Sequence, residues 1–262
     1  MPEDQIKVDL LDYMGTDLSV VNAARVSFDK KSDWERVSFV TIEEAEAFGK
    51  VDEDYVYSDR WMGGYPAERL SDKDTKLIHY LAKHKHYSPF GHCFASFRIT
   101  APIFVCRQLV KHEYLRMNEV SRRYVDTPPE FYTPDMWRGK AVDKKQGSEG
   151  VVNLAKEIMW DSGICGEHTV LDEVEVVSRM CTNLYDKLLA AGVAPEQARS
   201  VLPLSLMTSW WWSGSMDAFA NMCKLRLKED TQYETRLVAQ QISDYMTNLY
   251  PVSWGALLNE TD

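Results

Sequence analysis

The expected fold class is α+β: a single domain over residues 1–262, with a mostly antiparallel sheet packed by long helices and with helical insertions. Three observations point to α+β. Short β-type runs near 6–15, 93–99 and 204–212 are interspersed with segments whose apolar residues recur at helical spacing. No internal repeat or low-complexity linker divides them. A chain of 262 residues, 45% apolar and 27% charged, can bury a sizeable core in one large domain or two small ones.

In order, IKVDLLDYMG reads as a short strand, and DLSVVNAARVSF as a helix with Asp17 as candidate N-cap. Residues 29–70 are polar, with many aromatics and acids, and close on Gly63, Gly64 and Pro66, the pattern of an insertion. Ser71 to His86 is predicted helical, capped by Ser71, with Leu77, Ile78 and Leu81 as its apolar stripe. Residues 93–99 form a strand. Thr100-Ala101-Pro102 then opens a helix expected from Pro102 to about Tyr114.

The prolines and glycines of 126–150 predict a loop, and 133–165 has the character of a second insertion. A long helix is predicted from about His168 to Ala191, with Leu171, Val174, Cys181, Leu184 and Leu188 on one face and Gly192 as its stop. A short helix from Pro195 ends before Pro203. LSLMTSWWW (204–212) follows as a buried strand, then helices over 216–227, capped by Ser215, and 232–249. Trp210, Trp211 and Trp212 suit core or subunit-interface packing.

A net charge of −10 disfavours a polyanionic partner, so no nucleic acid is expected. No run of 18 apolar residues suggests a membrane span, and the opening MPEDQIKVDLLDYMG lacks the pattern of a secretion signal. Five cysteines (Cys93, Cys106, Cys165, Cys181, Cys223), odd in number and without CxxC spacing, argue against a disulfide framework or zinc site. A cytoplasmic protein with reduced thiols and no metal is the expectation.

Charge is uneven, however. Residues 107–124 set Arg107, Lys111, Arg116, Arg122 and Arg123 against Glu113 and Glu119, which suits a small anionic ligand. Gln108, Lys111 and His112 would share one face of the expected helix. Just beyond, NEVSRRY (118–124) gathers an amide, a carboxylate, a hydroxyl and two guanidiniums, the mixture that phosphate recognition uses. On these residues alone an anion site and a solvated charged surface stay equally open.

The stretch RQLVKHEYLRMNEVSRRY (107–124) resembles the signature of flavin-dependent thymidylate synthases, Arg-Gln-x-x-Arg-His-Arg followed by Asn-Glu-x-Ser-x-Arg-Tyr, without a gap. NAARVSF (22–28), HYSPFGH (86–92), TAPIFVCRQ (100–108), ARSVLPLSLMTSWWW (198–212) and NMCKLR (221–226) resemble other family segments in the same order, with Gln232 and Glu234 following. The resemblance covers roughly 6–28 and 71–254.

It implies an enzyme that methylates dUMP to dTMP with methylenetetrahydrofolate as carbon donor, FAD as cofactor and NADPH as reductant. It also implies a homotetramer with shared active sites. Gln108, Lys111, Glu119, Ser121, Arg122, Arg123, Arg199 and Arg226 would bind dUMP, with Ser121 and Arg123 near its phosphate. Arg226 would be catalytic, stabilising charge on the uracil ring. His86, Ser88, Lys111, His112, Glu113, Glu119, Ser215 and Asn221 would contact the flavin, which carries the hard chemistry.

The chain departs from the family where Arg-His-Arg reads Lys111-His112-Glu113 and where Ser215 and Asp217 replace Asn and Arg. Arg122 replaces a usual Gly. Arg116, three residues after Glu113, could restore a cation or pair with Glu113 if the helix continues. Two rivals follow: a 5-hydroxymethyl-dUMP-forming variant and a catalytically silent nucleotide-binding homologue. Without the resemblance, His92 reads as a hydrogen-bonded core residue, His86 as surface, Arg199 as an ion-pair partner and Cys223 as a small buried hydrophobe. Ser121 has no general base in local sequence and is not expected to be a nucleophile.

Overall fold

The computed structural model describes residues 5–38, 66–125, 127–142, 147–154 and 169–259. Along them run β1 (Lys7–Met14), α1 (Asp17–Arg25), β2 (Glu35–Ser38), β3 (Pro66–Arg69), α2 (Asp72–Lys83), β4 (Phe94–Pro102), α3 (Ile103–Leu109) and β5 (Leu115–Glu119). Then come β6 (Trp137–Lys140), β7 (Ser148–Val152), α4 (Val170–Ala190), α5 (Pro195–Ala198), β8 (Met207–Ser215), α6 (Met216–Arg226), α7 (Tyr233–Leu249) and α8 (Pro251–Leu258). The α+β class holds. The chain divides into two compact units, 1–13 with 94–248 and 14–93 with 249–262.

The first unit is built on a four-stranded sheet, β1-β4-β8-β5, in which β8 runs antiparallel to both β4 and β5. Alternation explains its core. Ala95, Phe97, Ile99 and Ala101 of β4 are buried, and their register partners Gly214, Trp212, Trp210 and Thr208 are buried with them. Phe219 of α6 meets Phe97 and Trp212 edge-on at 5.2 and 5.5 Å. Trp211, on the opposite face of β8, is 51% exposed. A Cβ at Gly214 would overlap the tip of the Leu115 side chain and lie 3.1 Å from the Tyr114 carbonyl, so glycine eases the close approach of β5 here.

Two expectations in this unit are corrected. The helix predicted over 102–114 ends at Leu109. Tyr114 takes a left-handed φ of 63°, and Leu115–Glu119 pairs with β8, so ladder bonding outweighs helical spacing. The loop predicted over 126–150 contains the β6–β7 hairpin, whose glycine sits at a register shift between Arg138 and Gly139. The long helix is present, capped by Thr169 and Asp172 in a capping box and stopped by Gly192 at φ 84°. Of the face named from the sequence, Leu171, Val174, Cys181 and Leu188 are half-buried and Leu184 is exposed, Val177 and Met180 are exposed beside it, and Tyr185 is the buried residue of this helix.

In the second unit the cap of α1 is Thr16, in a capping box with Ser19, rather than Asp17. Buried Asp17 instead accepts the Val252 and Ser253 amides of α8, a short C-terminal helix not read from the sequence. Asp74 is also buried and binds Arg25, Ser32 and Ser71. Burial opposes ionisation of its carboxyl, but the hydrogen bonds from Arg25, Ser71 and Ser32 prevail and hold its pKa below 3.8. Ser71 caps α2 as expected. His92 is exposed rather than a core residue, because the 3-10 turn Phe90–His92 turns Phe90 inward in its place.

The insertion-like segments fall partly on 39–65, 143–146 and 155–168, outside the described residues, as does Cys165. Cys93, Cys106, Cys181 and Cys223 are free thiols. Among the described residues no helix is long and apolar enough to cross a membrane.

Candidate active site

The signature residues lie on a helix–turn–strand junction of the first unit. Gln108 is in the last turn of α3, Lys111, His112 and Glu113 follow in the turn, Glu119 ends β5, and Ser121–Arg123 lie just after it. Arg226 closes α6. The helical face expected for Gln108, Lys111 and His112 does not exist, yet the turn still brings Gln108 and His112 together at Arg226.

Arg226 Nε donates to His112 Nε2 at 2.9 Å, and its Nη2 donates to the Gln108 carbonyl at 3.3 Å. Burial lowers the pKa of Arg226. Burial first, and then the Arg226 charge, push His112 down to about 4. The imidazole is therefore neutral at working pH, with Nε2 free to accept. Arg226 spends two of its five N–H donors inside the protein, and the rest of its donor capacity remains for a ligand.

A chain of hydrogen bonds holds the Gln108 carboxamide. It donates to Gln232 Oε1, Gln232 Nε2 donates to Glu234 Oε2 at 3.1 Å, and the Tyr132 hydroxyl donates to Glu234 Oε1 at 3.5 Å. Burial first, then the Glu234 charge, raises the Tyr132 pKa, so it stays a donor.

A second cluster surrounds a cavity of about 440 Å³ whose polar lining includes Arg98, Glu119, Arg122, Arg199, Thr208 and Ser209. Glu119 Oε1 accepts from Thr208 Oγ1 at 2.8 Å. Arg122 binds the Thr127 carbonyl and, at 3.3 Å, that of Pro128, so it braces its own loop. The Ser121 hydroxyl accepts from the Arg123 amide and Nε, both at 3.4 Å. The Arg123 guanidinium sits 5.1 Å from the Tyr124 ring centroid. Arg199 is exposed and forms no ion pair with a described residue.

The remaining expected residues are scattered. Lys111 and Glu113 are exposed on the turn. No helix reaches Arg116, so the shared face proposed for Glu113 and Arg116 falls away. Ser215 precedes α6 without a side-chain capping bond, and Asn221 is exposed on α6. One Asp217 carboxylate oxygen is buried with no hydrogen-bond partner. His86 and Ser88 belong to the second unit, exposed, on a cavity of about 900 Å³. Cys223 is fully buried, and burial raises its thiol pKa, consistent with a packing role.

Sequence reasoning missed Tyr132, Thr208, Ser209 and Arg98. Glu119 pairs with Trp210, which makes Thr208 its diagonal neighbour, a relation visible only once β5 and β8 are in register. Gln232 and Glu234 stood in a matching segment but carried no assigned role.

Fold and signature define a class of nucleotide-methylating enzymes, and the comparisons agree. The profile of the family described as thymidylate synthase complementing protein matches residues 9–252. A flavin-dependent thymidylate synthase of Thermus thermophilus is 33% identical over 249 residues, covering 95% of this chain and 74% of that protein. One from Kosmotoga olearia is 32% identical, covering 96% and 90%. Among solved structures, the UMP/dUMP methylase PolB from Streptomyces cacaoi bound with 5-Br dUMP matches with a TM-score of 0.67 and 27% identity, covering 96% of this chain and 94% of that one. The chain belongs to the thymidylate synthase complementing protein family, the flavin-dependent thymidylate synthases.

Proposed function

We propose that this protein methylates dUMP to dTMP, taking the carbon from methylenetetrahydrofolate and the hydride from FAD that NADPH has reduced. The observation that carries the reading is the Arg226–His112–Gln108 cluster. A guanidinium with donors to spare is held at the turn of the family signature and is paired to a neutral imidazole instead of a carboxylate. Its full charge is therefore available to a uracil ring that becomes electron-rich as C5 attacks the one-carbon unit. Gln108, held through Gln232, would orient the ring. Glu119, Ser121, Arg123 and Arg199 would hold the rest of the nucleotide, Ser121 and Arg123 at its phosphate.

For FAD, the donor chemistry of the expected residues fits. His86 and Ser88 offer polar groups on a cavity wall, and Lys111 offers a cation. His112, Glu113, Glu119, Ser215 and Asn221 complete the expected set. When bound, FAD would supply the hydride that converts the transferred one-carbon unit to a methyl group.

We extend the proposal to one functional domain over 1–262, since the family profile spans both units. The exposed Val177, Met180 and Leu184 of α4 suit burial between subunits of a homotetramer, and a cytoplasmic location suits the free thiols.

The test is an absorbance spectrum of purified protein, then anaerobic NADPH, then dUMP with methylenetetrahydrofolate. The expected result is a flavin spectrum that bleaches and recovers as dTMP forms. A product heavier by one oxygen would reveal the hydroxymethyl-forming variant. Binding of dUMP with neither flavin nor product would mark a silent homologue.

A further inference from the structure

The cavity of about 900 Å³ in the second unit has a cationic lining that the reading above leaves unused. Lys73 and Lys76 stand one turn apart on α2, Lys30 joins them from the segment after α1, and Phe28, Leu77 and Tyr80 add apolar surface. All three lysines are exposed, and none forms an ion pair with a described residue, in a chain of net charge −10. The one arginine in the lining, Arg25, is committed to buried Asp74.

The helix end beside them offers no seat for an anion. The Ser71 hydroxyl takes the Asp74 amide, and Asp72 and Asp74 already place carboxylates in the first turn of α2. What remains is three mobile ammonium groups around an apolar wall, open to water. A fixed phosphate is best met by guanidinium forks or converging backbone amides. Separate flexible point charges suit a flexible chain of carboxylates whose length varies. The same cavity carries His86 and Ser88, expected flavin contacts, and the carbon donor must reach the carbon that the flavin reduces.

We propose that Lys30, Lys73 and Lys76 bind the γ-linked glutamate carboxylates of the folate tail, so that this protein selects polyglutamylated methylenetetrahydrofolate over the monoglutamate. The proposal rests on the thymidylate synthase reading for the identity of the folate.

The test is equilibrium binding of tetrahydrofolate monoglutamate and pentaglutamate to the FAD-loaded, dUMP-bound protein at low salt. Three exposed ion pairs should favour the pentaglutamate about tenfold. In a Lys30→Gln, Lys73→Gln, Lys76→Gln variant the two affinities should converge, with FAD content and the KM for NADPH unchanged. A wild type that does not discriminate, or a variant that still does, overturns the proposal. Loss of FAD, or a raised KM for NADPH, also overturns it by assigning the lysines to a phosphate.

Should the triple variant fail to fold, salt on the wild type decides: about 0.5 M NaCl should erase the preference, and a preference that survives it counts against the lysines. The binding measurement needs no turnover. Selective binding by a protein that forms no dTMP would therefore sink the catalytic reading and leave the tail site standing.

Discussion

The two clusters of the first unit are held differently. Around Arg226 every named side chain has a protein partner: His112 accepts its Nε–H, the Gln108 carbonyl accepts its Nη2–H, and Gln232, Glu234 and Tyr132 brace the Gln108 amide. The second cluster is held only in part: Glu119 accepts from Thr208 at 2.8 Å and Arg122 braces its own loop, whereas Ser121 and Arg123 meet only at 3.4 Å and Arg199 stands exposed. Groups that act as charge develops must be in position beforehand, because reorganisation in the transition state slows the reaction. Groups that only grip a phosphate can be gathered by the phosphate itself. On the proposed assignment, Arg226 with Gln108 and His112 is the preorganised end, and Ser121, Arg123 and Arg199 are the part that the nucleotide itself would gather.

The largest expected effect is at the preorganised end. Arg226→Ala should lower kcat by about 10²–10³-fold with a smaller change in the dUMP dissociation constant. Rates near wild type would remove Arg226 from the reacting ring. Arg123→Ala should do the reverse: dUMP binding weakens by about 10- to 100-fold, the worth of a hydrogen bond to a charged group, while kcat at saturation changes little. If kcat falls as far as in Arg226→Ala, the proposed division between the two ends fails.

Gln232→Ala leaves both clusters in place but frees the Gln108 amide. A loss of about 3- to 10-fold in kcat/KM is expected, the worth of one neutral hydrogen bond. No loss would show that Gln108 is positioned by its helix alone.

The smallest effect concerns pH. A histidine at its ordinary 6.5 would charge and repel Arg226 below neutrality, whereas burial and the Arg226 charge hold His112 at about 4. This contribution to turnover should therefore stay flat from pH 8 to about 5 and fall only as pH approaches 4. For stability the sign runs the same way. The unfolded chain takes up the proton from 6.5 downward and the folded one does not, so the penalty grows between 6.5 and 4. A His112→Asn variant should lose that part of the acid sensitivity in thermal melts between pH 6.5 and 4.

The Gln108–His112 part of the candidate site was legible because the signature is contiguous, and contiguity survives errors in secondary structure. Gln108 and His112 do meet, but through a turn closed by Tyr114 and not along a helix. The strand LRMNE was unreadable alone, since its stability comes from β8, almost a hundred residues later. The same holds for the β6–β7 hairpin, where prolines and glycines in the surrounding stretch hid the pairing.

Asp17 had the right residue type for a cap and caps the wrong helix, α8, a choice set by tertiary contact. Thr208 and Tyr132 had no local signal at all. The lysines of α2 drew no reading from the sequence. Their relation to His86 and Ser88 needed the cavity.

Gly214 touches none of the expected ligands, yet it is where β5 closes onto β8. A methyl group there would displace the Leu115 side chain and crowd the Tyr114 carbonyl at 3.1 Å, straining the start of β5. A survey of substitutions scored by thymidine prototrophy would therefore register this glycine through stability, with a smaller effect than Arg226. Thermal melts would give the two away: the glycine variant would melt early, the arginine variant near the wild-type temperature.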